Sequence, residues 1–275
     1  MSIKIITAFF ITYLFISCNS NDKKADNNSD SAMPIITTPL ISYNPINIYP
    51  HDTSSYTEGF LVHESNLYES TGHTDDLPQT KSLFGVVNLK TGKIDIKAEL
   101  DKKKYFGEGI VFIKDKIYQL TYTTKIGFIY NAKTFQQTGT FTYPSKEGWG
   151  MTTDSANIIM SDGTTTLTWL DPTTFKVIKT IIVKDEKGPV SEVNELEYIK
   201  GFIYANVYTT GDIIKIDPSS GKVVGRLDLS NLVTQEKNQY PGAKEMNGIA
   251  YDYATDKIYI TGKMWPHIYE LKFEH

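Results

Sequence analysis

Short apolar runs broken by Gly, Pro, Asn and Asp recur along this chain, and no segment carries a long apolar period of 3.6 residues. The runs form a repeat. Five copies of one opening motif read YTEGFLV from Tyr56, FGEGIVF from Phe106, EGWGMTT from Glu147, VNELEYI from Val193 and EMNGIAY from Glu245. The equivalent positions Gly59, Gly109, Gly150, Leu196 and Gly248 are spaced by 50, 41, 46 and 52 residues. A period of that size in a strand-rich chain denotes a solenoid or a propeller.

Each copy continues in the same order. A second strand follows the motif: NLYESTG, KIYQLTY, NIIMSDG, FIYANVY and KIYITGK. A third ends in an Asn or Asp turn: VVNLKTG, IYNAKTF, WLDPTTF and KIDPSSG. A fourth completes the unit: KIDIKAEL, QQTGTFTY, KVIKTIIV and KVVGRLDL. Four short strands per unit make a propeller blade. The fifth unit ends at IYELKFEH, one strand short, while ISYNPINIY (Ile41 to Tyr49) is strand-like and has no unit of its own. That segment is expected to complete the last blade, closing the ring and removing a sheet edge. The prediction is an all-β fold, a five-bladed β-propeller over residues 41–275.

Composition adds a location and removes a partner class. The chain has 275 residues with a net charge of -4, and no basic block interrupts the repeats, so nucleic acid is not an expected partner. Met1 to Lys4 precede an apolar stretch, Ile5 to Ile16, and Ser17 precedes Cys18, the single cysteine. Residues 1–17 read as a secretory signal peptide. A small residue before the cysteine resembles a bacterial lipobox, with the bulky Phe15 as a departure. Lipidation of Cys18 is expected, followed by a polar, disordered tether over residues 18–40. The expected product is an exported lipoprotein in the periplasm or at the cell surface, monomeric, and held to a membrane by its lipid anchor only.

Propeller geometry brings two sets of residues to one mouth. First strands line the central channel, so the start of each first strand lies beside the end of each second strand. The first-strand set is Glu58, Glu108, Trp149, Glu195 and Asn247, with Asn194 just before Glu195. The second-strand set is Gly72, Tyr122, Gly163, Tyr208 and Lys263. Aromatic walls with a few convergent polar groups suit a small molecule or a peptide end. Crowded, desolvated carboxyls hold a proton near neutral pH. The same polar residues also suit a structural role, satisfying backbone amides or channel water.

The stretches FGEG, KIYQLTY, IGFIY, GWGMTTD, IIMSDGT, LDPTTFK, NELEYI, IYANVY, MNGIAYD and TGKMWPHIYELK run in order through residues 50–273. Together they resemble the plant-type glutaminyl-peptide cyclotransferases, the papaya glutaminyl cyclase family with its bacterial relatives. The resemblance implies a five-bladed propeller that converts the N-terminal glutamine of peptides or proteins to pyroglutamate, releases ammonia and needs no catalytic metal. No cofactor is expected, a structural divalent cation on channel carboxylates being the one exception considered. By motif, Glu108 matches the essential glutamate, and Trp149, Asn194 and Lys263 match other site residues. Glu58 stands where the family has glutamine, and Tyr122 and Tyr208 stand where it has tryptophan. The resemblance assigns catalysis to Glu108, Lys263 and Asn194, and substrate binding to Trp149, Tyr122, Tyr208 and Glu58. Two other readings stay open from the sequence: a non-catalytic, surface-tethered binding module, and a different propeller enzyme such as a metal-dependent lactonase.

Overall fold

A computed structural model describes residues 37–275; the expected signal peptide, Cys18 and most of the expected tether lie outside the described residues. Five four-stranded antiparallel sheets follow one another around a ring. Their innermost strands are Thr57–His63, Gly107–Ile113, Met151–Thr153, Val193–Ile199 and Met246–Asp252. Blades 1 to 4 each take four strands consecutive in the chain. Blade 5 takes three, and its outer edge is Tyr43–Pro50, which runs antiparallel to His267–Phe273 from Tyr43 opposite Phe273 to Pro50 opposite His267. The ring is therefore closed by the strand preceding the first repeat, as expected. A bulge between Pro45 and Asn47 absorbs the proline, which has no N–H for the ladder.

The core is divided among the blade interfaces. Each of five apolar clusters draws its side chains mainly from two adjacent blades, as with Phe60, Leu67, Ala250 and Ile268 between blades 1 and 5. Alternating strand residues supply these faces, since successive side chains point to opposite sides of a sheet. The turns between third and fourth strands explain the repeated NLKTG, NAKTF, DPTTF and DPSSG. In each, the Asn or Asp carboxyl or amide oxygen accepts from a backbone N–H two residues on. The last residue of each turn takes a positive φ: Gly92 (71°), Phe135 (57°), Phe175 (56°) and Gly221 (72°). The two phenylalanines accept that strain for packing; Phe175 stacks on Phe141 at 4.6 Å.

Unequal repeat lengths come from three insertions. Residues 72–82 form a long loop in blade 1, Lys184–Asp185 and Gly188–Pro189 form a small hairpin after blade 3, and a helix, Ser230–Gln239, links blades 4 and 5. The apolar pattern did not announce that helix because it buries only Leu232 and Glu236. Buried Glu236 bonds to His267 Nδ1 at 3.0 Å and accepts from the Tyr269 hydroxyl, fixing the helix to blade 5.

One buried pair secures the closing strand to both blades it joins. His51, next after that strand, places Nδ1 2.7 Å from the Trp265 carbonyl and Nε2 3.1 Å from Glu69. Glu69 also accepts from Thr57 Oγ1 at 2.7 Å. Burial works to lower the His51 pKa, but the Glu69 charge and hydrogen bonds leave it raised. A histidine raised in the folded state stabilises fully below its unfolded value of about 6.5 and loses that contribution as pH rises through the folded value. His51→Ala is expected to lower stability by about 3 kcal/mol at pH 6, since it strands a buried carboxylate, and by less at pH 9. Denaturant unfolding at the two pH values checks this; an equal loss at both would contradict the charged pair.

Candidate active site

The repeat motif has a structural reason at the channel. Inner strands crowd at the axis, and a Cβ on Gly109 would lie 2.5 Å from the Met151 nitrogen, one on Gly150 2.2 Å from the Asn194 carbonyl oxygen. Bare backbone there lets neighbouring inner strands touch, and Gly109 N–H donates to the Trp149 carbonyl at 2.8 Å. The same spot carries a β-bulge in every blade. The ladder slips at Glu58, at Glu108–Gly109, at Asn194–Glu195 and at Asn247–Gly248. In blade 3, Trp149 and Gly150 both bond to Ser161. A bulge re-aims the side chain it carries. Here it turns Glu58, Glu108, Trp149 and Asn194 into one open cavity of about 350 Å³.

All seven expected substrate and catalytic residues line that cavity: Glu58, Glu108, Tyr122, Trp149, Asn194, Tyr208 and Lys263. Glu195, grouped with them from the sequence, does not. Its carboxyl accepts from the Phe60 N–H at 3.2 Å and the Ile249 N–H at 2.8 Å, bracing inner strands of blades 1 and 5. Asn247 is also structural, donating to the Thr57 carbonyl and, at 3.1 Å, to Glu58.

Lys263 and Glu58 form a buried ion pair at 2.6 Å. The lysine ammonium also lies 4.7 Å from the Tyr56 ring centre and 5.3 Å from that of Tyr208, both within cation–π range. Burial alone would discharge Lys263; Glu58 and Glu108 hold its pKa above the ordinary value. Burial raises the Glu58 pKa to about 7 even though Lys263 pulls it back. Glu108 has no such ion pair. Burial first, and the Glu58 charge second, push it well above the usual carboxyl range. The pair thus sets an order between two neighbouring carboxyls: Glu58, beside the ammonium, ionises before Glu108.

Two buried atoms in this cavity have no protein partner: Glu108 Oε2 and Asn194 Oδ1. Their backbones are fixed. Ser70 Oγ donates to the Glu108 carbonyl at 2.5 Å, and Ser161 Oγ to the Asn194 carbonyl at 2.7 Å. Unsatisfied buried polar atoms are costly, so a site that retains two is shaped to receive donors from a ligand. The walls are aromatic. Trp149 lies edge-on to Tyr208 at 5.6 Å, and a Cβ on Gly163 would fall 2.6 Å from its ring, so the bare glycine seats the indole. The Trp149 Nε1–H donates to Glu147 at 2.9 Å.

The sequence reading missed Tyr56, Phe106, Glu147, His73 and Thr74. The first three had a signal: each stands two residues before the Glu58, Glu108 or Trp149 position of its motif copy. His73 and Thr74 come from the blade 1 insertion, which no other repeat shares. Among the described residues no three His, Cys, Asp or Glu side chains converge as they would around a metal ion.

The family model for glutamine cyclotransferase matches residues 13–273. The chain belongs to the glutamine cyclotransferase family. It is 36% identical over 228 residues to a glutaminyl-peptide cyclotransferase of Arabidopsis thaliana, covering 82% of this chain and 69% of that protein. It also superposes on the crystal structure of Myxococcus xanthus glutaminyl cyclase with a TM-score of 0.77 and 32% identity, over 86% of this chain and 98% of that one. As a glutamine cyclotransferase it is an enzyme.

Proposed function

We propose that this enzyme cyclises the N-terminal glutamine of peptides or proteins to pyroglutamate and releases ammonia, with Glu108 carrying the protons. The observation that carries the reading is Glu108 itself: buried, beside the Glu58 carboxyl that with burial raises its pKa, and offering an oxygen with no protein partner inside an aromatic cavity. The α-amine attacks the γ-carboxamide carbon, so a C–N bond forms to the amine and the C–N bond to the amide nitrogen breaks. Glu108 gives its proton to the departing nitrogen through one oxygen and takes the amine's proton through the other, ending as it began. Lys263 supplies charge to the amide oxygen as the tetrahedral centre forms, using donors that its Glu58 contact leaves over.

Asn194 is suited to orienting the substrate. Its unpartnered atom is an acceptor, matched to an N–H of the substrate amide or amine. Trp149, Tyr122 and Tyr208 wall the cavity and favour the folded-back conformer that the reaction needs. Glu58 keeps Lys263 paired and discourages ionisation of Glu108. The expected substrates are therefore peptides or proteins that present a free N-terminal glutamine.

The sequence supports delivery of this domain to a membrane surface by a lipid on Cys18, with the rest of residues 18–40 as spacer. Cys18→Ala is expected to move the protein from the membrane fraction to the soluble exported fraction; a variant that stays with the membrane would contradict the anchor. Glu108→Gln keeps the shape but removes the proton relay. It is expected to lower kcat for ammonia release from a glutamine-initiated peptide by about 10²–10⁴-fold, with the circular dichroism spectrum unchanged. Turnover within a fewfold of the parent enzyme would refute the assignment.

A further inference from the structure

The residue two before each bulge forms a rim around the mouth, and the rim is divided by chemistry. Blades 1 and 2 place Tyr56 and Phe106 there; blades 3, 4 and 5 place Glu147, Glu192 and Glu245. The backbone confirms the equivalence in four blades. The carbonyls of Tyr56, Phe106, Glu192 and Glu245 each accept from the residue just after the second strand: Gly72, Tyr122, Tyr208 and Lys263. Glu147 is fixed by the Trp149 indole instead.

Among the described residues, none of the three rim glutamates lies within ion-pair distance of a lysine, arginine or histidine. Their charge falls on the site. Glu245 acts on Tyr56, Glu58 and Tyr208, Glu147 on Glu108 and Tyr122, and Glu192 on Tyr208. Lys263, the cation among these groups, is already matched by Glu58 at 2.6 Å. Among the described residues the rim glutamates are thus not ion-paired, while the floor holds the two unpartnered buried atoms, Glu108 Oε2 and Asn194 Oδ1, that call for a ligand.

A glutamine side chain seated against that floor leaves its peptide chain to exit past the rim. We propose that Glu147, Glu192 and Glu245 select substrates with a cationic side chain at the residue following the N-terminal glutamine. The inference rests on the cyclotransferase reading and names the substrate class of that same site. The α-amine is common to all substrates and cannot produce this selection; a Lys or Arg in the second position can. Half-exposed and exposed carboxylates act through solvent, so the selection is modest and screened by salt. It is made in the ground state as well as the transition state, so it appears in KM and not in kcat.

The test is steady-state ammonia release from Gln-Lys-Ala, Gln-Ala-Ala and Gln-Glu-Ala amides at low and high salt. The expected order of kcat/KM is Lys, then Ala, then Glu, with about fivefold between Lys and Ala at low salt, carried by KM and reduced at 1 M salt. Glu192→Gln/Glu245→Gln, which leaves Glu147 in place, is expected to cut the Lys-to-Ala ratio to about twofold or less. Three peptides turned over equally, or a preference for Lys that survives both salt and the double substitution, would overturn the rim assignment while leaving cyclisation standing. Failure to turn over any of the three by folded protein would overturn cyclisation itself, and the rim proposal with it.

Discussion

Five strands must meet at the centre of this ring, and the constraint that they touch backbone to backbone shapes everything else. Glycine at Gly59, Gly109 and Gly150 permits the contact; a methyl group at the last two would enter the neighbouring strand. Each inner strand then carries a bulge at the point of closest approach. Bulging lifts the adjoining polar side chain out of the regular alternation and toward the mouth. The repeat that builds the scaffold therefore also builds the site, because one backbone irregularity serves both ends.

Not every bulged residue serves chemistry. Glu195 sits beside Asn194 in the same bulge, yet its oxygens go to the amides of Phe60 and Ile249 across the channel. Glu197, deeper in the same strand, accepts from the Tyr251 N–H at 2.9 Å. Such carboxyls replace the hydrogen bonds that crowded inner strands cannot make to one another. The distinction lies in satisfaction: structural carboxyls have partners for their oxygens, whereas Glu108 keeps one oxygen free. Placing Glu58 where the resemblance implies glutamine sets a third pattern. It pairs with Lys263, which stays an ammonium, and leaves Glu108 as the carboxyl that gives up its proton last.

Much of this is legible in the sequence. The motif period gave the blade count, and the missing fourth strand of the last unit foretold that Ile41 to Tyr49 would close the ring, as Tyr43–Pro50 does. Strand direction alone placed Tyr122, Tyr208 and Lys263 beside Glu58 and Glu108. Legibility ended where the repeat ended. The helix Ser230–Gln239 has too narrow a buried face to register as a period, and His73 and Thr74 belong to an insertion with no counterpart. The roles of Glu195 and Asn194 could not be separated either, since adjacent polar residues in a bulge look alike until hydrogen-bond partners are known.

The account stands on Glu108 holding its proton in the resting enzyme more tightly than Glu58 does. Infrared difference spectroscopy of the parent enzyme against Glu108→Gln at neutral pH addresses this most directly. The account predicts that the difference contains the carbonyl stretch of a protonated carboxylic acid, sensitive to deuteration and persisting at pH values where exposed glutamates are ionised. A difference showing only the carboxylate bands of an ionised Glu108 would contradict it, and would require the proton for the departing ammonia to come from another group.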